Sequence, residues 1–156
     1  MNTDELVFRD VVLGDLQVAD YADWCESLVT HGNDDEDVVY LAANPDLHWE
    51  QFDKVIRKIK DKTELGAFSQ DQRWAIAEAF IIRQFSAGQM SFDDLIRYGD
   101  VICRASEYAE PYTVWYALHE SLGYLDNEQG TRFYELDPAS PHDSALAILR
   151  ANRKMV

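Results

Sequence analysis

Cysteine, glycine and long apolar runs are scarce in this sequence, and each scarcity excludes a class of protein. Cys25 and Cys103 lie 78 positions apart without a Cys-x-x-Cys pair, so neither a disulfide framework nor a thiolate zinc site is predicted. Both are expected to be buried thiols. The seven glycines form no phosphate-binding loop, which argues against a nucleotide-binding fold. No run of about 18 apolar residues and no signal peptide occur, which predicts a soluble cytoplasmic protein.

Histidine pairs at metal-ligand spacing are also missing. The four histidines show no His-x-x-x-His or Glu-x-x-His spacing, so no metal site and no cofactor are predicted. His142 and Asp143 resemble the His-Asp pair of metal-dependent phosphohydrolases, but Asp143 lies three residues after Ser140 and fits a helix cap better. The chain is therefore predicted not to be an enzyme. Because triads assemble from distant positions, a hydrolase stays as the last alternative.

Basic side chains are few. Fourteen Lys and Arg stand against 29 Asp and Glu, a net charge of −15, which excludes nucleic acid and anionic membranes as favoured partners because both repel such a field. A basic protein partner is predicted instead. Residues 1–50 hold 13 acidic side chains and only Arg9, a net charge of −12. The acidity therefore belongs mainly to the first third of the chain.

The acidity peaks where four consecutive carboxylates follow Asn33. Such a run is explained either as a solvated loop that caps a helix or as a binding surface. The segment 54–62 has five basic residues in nine positions, and a helix here could supply internal counter-charge to the acidic third. We predict a binding surface, with charge from six acidic residues and a possible apolar anchor from one tryptophan: Asp20, Asp23, Trp24, Asp34, Asp35, Glu36 and Asp37.

Apolar residues are abundant: hydrophobic residues make up 47% of the chain and aromatic residues 12%. Many of them recur at helical spacing. Residues 6–31 match residues 80–105 at a constant offset of 74 without a gap, and most apolar positions coincide. Each copy predicts a helix that ends at a glycine, a short turn and a second amphipathic helix. The identical residues in the two copies are Arg9/Arg83, Gly14/Gly88 and Asp20/Asp94.

The predicted fold is all-α: a single domain, 1–156, that forms a helical bundle or short helical array of about seven to nine helices with this internal two-fold repeat. No alternating run is long enough for a sheet. The boundary predictions are a helix that begins at Asn44-Pro45, a capping box at Ser69–Gln72 opening a helix to Phe85, a Ser91/Asp94 cap, a helix between Pro111 and Gly123, a turn at 126–130, a short extended piece at 133–136 and a last helix from Ser140 to about Lys154.

This small, acidic, helical and motif-free profile resembles the immunity proteins that accompany bacterial polymorphic and contact-dependent growth-inhibition toxins. The turns Gly14-Asp15-Leu16 and Gly88-Gln89-Met90, each before an Asp-containing helix, also resemble a family of small bacterial helical proteins over about the first two thirds of the chain. The first resemblance implies tight one-to-one binding to a cognate toxin domain, usually a basic nuclease, inside the producing cell. The alternative is a helical adaptor or regulatory scaffold that grips a peptide or protein.

Overall fold

The protein is all-α, as its sequence predicts. A computed structural model describes residues 1–127 and 131–152, and no strand occurs within these ranges. The predicted extended piece at 133–136 is irregular chain. The helices are α1 Thr3–Phe8, a π-helical turn Arg9–Leu13, α2 Val18–Thr30, α3 Glu36–Ala42, α4 Trp49–Lys62, α5 Glu64–Ala67, α6 Gln70–Ser86, α7 Phe92–Ala105, α8 Thr113–Asn127 and α9 Pro141–Asn152.

The chain divides into two compact units, Met1–Ala77 and Glu78–Val156. Each unit is described by itself below. The prediction of one domain over residues 1–156 stays a prediction.

The first unit has a core to which α1 to α5 all contribute. In α4 the buried positions Phe52, Ile56 and Ile59 recur at helical spacing, so one face of this helix packs inward while its lysines face water. Burial of each such side chain contributes about 1.5–3 kcal/mol. The buried members of this cluster are Leu6, Val7, Trp24, Cys25, Val38, Leu41, Phe52, Ile56, Ile59 and Leu65.

In the second unit α7 packs against α8. The contact is close because Gly99 has no side chain: a Cβ there would lie 2.3 Å from ring atoms of Trp115. The Trp115 ring is fully buried, and its Nε1 donates a hydrogen bond to Glu78 Oε1 at 2.6 Å. The polar edge of a buried indole is thereby satisfied.

Helix ends follow the predicted chemistry at four places. The backbone N–H of Ser69 donates to Gln72 Oε1 at 2.8 Å and the N–H of Gln72 donates to Ser69 Oγ at 3.2 Å, which is the reciprocal capping box at the start of α6. Ser91 caps α7 by accepting from the N–H of Asp94. Gly14 and Gly88 adopt left-handed φ values of 62° and 70°, as C-terminal glycines do.

Two helix–glycine–helix segments occur where the sequence predicts the repeat. The second helices begin at Val18 and Phe92, 74 residues apart, which is the offset of the sequence match. The first helices differ, because a π-helical turn precedes Gly14 whereas α6 is α-helical up to Ser86. That residues 6–31 and 80–105 superpose stays a prediction.

Besides the extended piece at 133–136, two further boundary predictions are wrong. Pro45 lies in a turn, and α4 begins only at Trp49; Asn44 donates its side-chain N–H to the Tyr40 carbonyl at 2.7 Å and so helps to end α3. Gly123 lies inside α8, since a helical glycine costs only about 1 kcal/mol and neighbouring packing outweighs it. Of the predicted turn 126–130, residues 128–130 lie outside the described residues, as does Lys154, the predicted end of α9.

Candidate functional site

The acidic run 34–37 forms the start of α3. Asp35 is the N-cap, and its carboxylate accepts hydrogen bonds from the N–H groups of Asp37 at 3.0 Å and Val38 at 3.4 Å. Glu36 and Asp37 occupy the first turn, where the helix dipole stabilises negative charge. Local helix chemistry thus explains part of the run.

Two members of the run are paired with α4. The Lys62 ammonium lies 2.9 Å from carboxylate oxygens of both Asp35 and Asp37, and Lys58 lies 3.2 Å from Asp37. The hydrogen bonds from Lys62 lower the pKa of each aspartate and raise the pKa of Lys62. Asp35 and Asp37 therefore already have internal counter-charge, the alternative that the basic segment 54–62 suggested.

The other two members of the run, Asp34 and Glu36, are exposed and form no ion pair with any residue in the described ranges. On α2, which packs against α3, Asp23 and Glu26 are likewise exposed, with no ion pair in the described part of the chain. The negative charge of these four side chains is therefore open to solvent.

Two exposed apolar side chains lie on the same face of α3 as Glu36. Val39 is 43% and Tyr40 45% exposed, and they follow Glu36 by three and four residues on α3, which places all three on one helical face. We use the name α2–α3 surface for six exposed residues that lie on α2, on α3 or just before α3: Asp23, Glu26, Asp34, Glu36, Val39 and Tyr40.

The remaining two residues of the predicted site, Asp20 and Trp24, also lie on α2, but neither is exposed. Asp20 forms an ion pair with Arg9 and accepts a hydrogen bond from the backbone N–H of Gln17 at 2.7 Å, so it stabilises the start of α2. Trp24 is fully buried, and its Nε1 donates to Thr3 Oγ1 at 3.2 Å. Trp24 therefore does not offer its ring to a partner, and an apolar anchor has to come from another residue.

A groove beside α4, which sequence reasoning missed, exposes a different tryptophan. Trp49 is 65% exposed, although the sequence places it on the apolar side of its helix. Its ring centroid lies 5.3 Å from that of Phe52, which lies 5.1 Å from that of Tyr21. The groove has a volume of about 250 Å³, and Lys60 lines it together with these rings. The sequence feature that points to this groove is the three-residue spacing of Trp49 and Phe52, which places both rings on one face of a helix.

In the second unit a buried carboxylate lies between two basic groups. Asp100 is 6% exposed, and its Oδ2 lies 2.8 Å from Arg104 Nε and 3.5 Å from His119 Nδ1. Its Oδ1 has no hydrogen-bond partner among the described residues. Asp100 and Arg104 lie on α7 and His119 lies on α8, so spacing along the sequence does not predict the whole cluster.

Neither cysteine has the environment of a nucleophile. Both are buried and free, and burial raises the pKa of Cys25 to about 12, which keeps it protonated at neutral pH. In residues 1–127 and 131–152 no group of three or more His, Cys, Asp or Glu side chains could hold a metal ion. Over the same ranges no helix has the length and hydropathy to cross a membrane.

Searches with protein-family models, curated proteins and solved structures returned no match to this chain. Its function therefore has to be inferred from the surfaces described above.

Proposed function

We propose that this chain binds a basic protein through the α2–α3 surface, and that the partner is a toxin domain, neutralised by one-to-one association in the cytoplasm of the producing cell. The observation that carries the proposal is the set of exposed carboxylates without an ion pair in the described ranges, at Asp23, Glu26, Asp34 and Glu36, on or next to the packed helices α2 and α3, which also expose Val39 and Tyr40. Carboxylates with no internal counterion are available to an external one.

The composition of the surface fits a protein interface. Such interfaces combine an apolar centre that carries the anchors with a polar rim, and Tyr40 and Val39 supply apolar area next to charge. Opposite net charge raises association rates toward about 10⁸–10⁹ M⁻¹s⁻¹, which suits a protein that has to intercept a toxin soon after its synthesis. Carboxylates can also occupy the positions that substrate phosphates take in a nuclease.

The experiment uses the C-terminal domain of the large secreted protein expected to be encoded directly upstream of this chain's gene. Expression of that domain alone should stop bacterial growth, and co-expression with this chain should restore it. Light scattering should give the mass of a one-to-one complex. Absence of such a gene, or growth arrest that this chain does not relieve, would contradict the proposal.

A pair of matched variants locates the surface. Asp34→Asn with Glu36→Gln should slow association with the toxin domain by about threefold and flatten its salt dependence, because two steering charges are lost. Asp126→Asn with Asp143→Asn removes the same charge from exposed sites of α8 and α9 and should leave association unchanged. Equal slowing by both pairs would show that net charge alone acts and that no particular surface is involved.

Tyr40 tests the apolar part of the same surface. Tyr40→Ala should raise the dissociation rate about tenfold or more, as loss of an aromatic anchor does, while leaving the association rate nearly unchanged. Tyr40 is 45% exposed, so its replacement should not unfold the protein, and circular dichroism of the free variant checks this.

A further inference from the structure

The groove beside α4 combines features that the proposed toxin binding does not use. Phe52, which is 3% exposed, lines the groove, and its ring centroid lies 5.3 Å from that of Trp49 and 5.1 Å from that of Tyr21. Three neighbouring aromatic rings, one of them largely open to water, supply the apolar part of the groove. Aromatic rings favour another ring in an offset-stacked or edge-to-face arrangement.

The charges in the groove favour an anion. Two aspartates line it, but Asp10 pairs with Arg73 at 3.1 Å and Asp53 pairs with Arg57 at 2.8 Å. Lys60 also lines the groove and has no ion pair with any described residue; its ammonium lies over the Tyr21 ring, 5.8 Å from the centroid. The charge left without an opposite partner in the groove is therefore positive.

The net charge of −15 acts against an anion only weakly at this site. At physiological ionic strength the screening length is about 8 Å, so an ammonium inside the groove outweighs carboxylates on distant surfaces. A second cation, such as an arginine side chain, would have to approach Lys60 against direct repulsion.

We propose that this groove is a binding site for a small planar aromatic carboxylate, whose ring lies against Trp49 and Phe52 and whose carboxylate pairs with the ammonium of Lys60. The volume of about 250 Å³ lies just below the range of about 300–1,000 Å³ typical of small-molecule sites, which suits one ring system with a short side chain. None of these residues belongs to the α2–α3 surface, so a test of this site does not depend on whether the protein binds a toxin.

Three probes with one ring separate the contributions of shape and charge. Indole-3-acetate, indole-3-acetamide and tryptamine carry a carboxylate, a neutral amide and an ammonium at neutral pH. Binding is followed by the NMR shift of the Trp49 indole N–H, assigned by its absence in Trp49→Phe. Indole-3-acetate should give a saturable shift with a dissociation constant near about 1 mM and should bind about fivefold more tightly than the acetamide. Tryptamine should bind most weakly.

Two lysine variants test the role of the ammonium. Lys60→Gln should make the acetate and the acetamide bind equally, while Lys54→Gln, an exposed lysine of the same helix that does not line the groove, should keep the fivefold preference. Both lysines lie outside the buried core, so neither change threatens folding. Trp49→Ala, followed through the backbone amide of Val18, should weaken binding of all three probes.

Three results would contradict the proposal that this groove binds an aromatic carboxylate. Saturable binding of tryptamine tighter than that of the acetate would assign the groove to a cation. Binding of the peptide acetyl-Ala-Ala-Trp at least tenfold tighter than indole-3-acetate would assign it to the carboxyl end of a protein. Absence of any saturable shift with the acetate up to about 10 mM, well above the expected constant, would leave no ligand site there.

Discussion

Gly99 shows how strongly a single atom can constrain this fold. A methyl group at this position would meet the Trp115 ring at 2.3 Å, so Gly99→Ala should destabilise the protein by about 1–3 kcal/mol. Urea unfolding measures the change. In a Trp115→Phe background the same substitution should cost less, because the phenyl ring is smaller than the indole and leaves more room for the methyl group. A gain of about 1 kcal/mol, which helix propensity alone predicts, would contradict the close packing.

Burial of the Cys25 thiol makes the stability of the protein depend on pH in the alkaline range. Burial raises its pKa from 9.0 to about 12, so between these values the folded protein keeps a proton that the unfolded chain releases. The free energy of unfolding should therefore fall as pH rises above 9, by at most about 1.4 kcal/mol per pH unit from this group. Urea unfolding at a series of pH values should give a shallower fall for Cys25→Ala than for the unchanged protein. Equal slopes would contradict the raised pKa.

At the scale of the element, the carboxylates at the start of α3 differ in role: some stabilise the helix, and others have no partner within the described chain. Asp35 both caps the helix and pairs with Lys62, whereas Asp34 does neither. Asp35→Ala should therefore lower the melting temperature most, Asp35→Asn less because asparagine still caps, and Asp34→Asn least. Circular dichroism melting of the three variants checks the order. A loss for Asp34→Asn as large as that for Asp35→Ala would show that Asp34 is also structural.

Helix ends were predictable from the sequence where a local signal decides them. The capping box at Ser69 and the left-handed glycines at 14 and 88 need only residues three or four positions apart. Pro45 and Gly123 carry equally local signals but were misread, because packing of the flanking residues decides whether a helix begins or continues there.

The partners of side chains on different helices were not predictable. Both Trp24 and Trp49 lie on helices with an apolar face, yet Trp24 is 0% and Trp49 65% exposed. Periodicity shows which face of a helix is apolar; it does not show how much of that face another helix covers. The same limit applies to the ion pairs that Lys62 forms with Asp35 and Asp37, which are 27 and 25 residues away. The sequence predicts only that a basic segment could balance the charge of an acidic one; it does not predict which residues pair.

At the scale of the whole molecule, the net charge of −15 opposes compaction through self-repulsion. Raising sodium chloride from about 0.01 M to about 0.15 M shortens the screening length from about 30 Å to about 8 Å. The melting temperature of the free protein should rise across this range. A fall would mean that screened ion pairs, such as those of Lys62, outweigh the general repulsion.

The pairing of α3 with α4 has a consequence for the order of events during synthesis. Asp35 leaves the ribosome 27 residues before Lys62, which at about 5–20 residues per second is a delay of about 1–5 seconds. During that interval the nascent chain presents its most acidic segment without its counterions, while the ribosomal RNA nearby is itself anionic and repels it. Lys58 and Lys62 then emerge only four residues apart, so the acidic helix acquires both partners within about 1 second of each other.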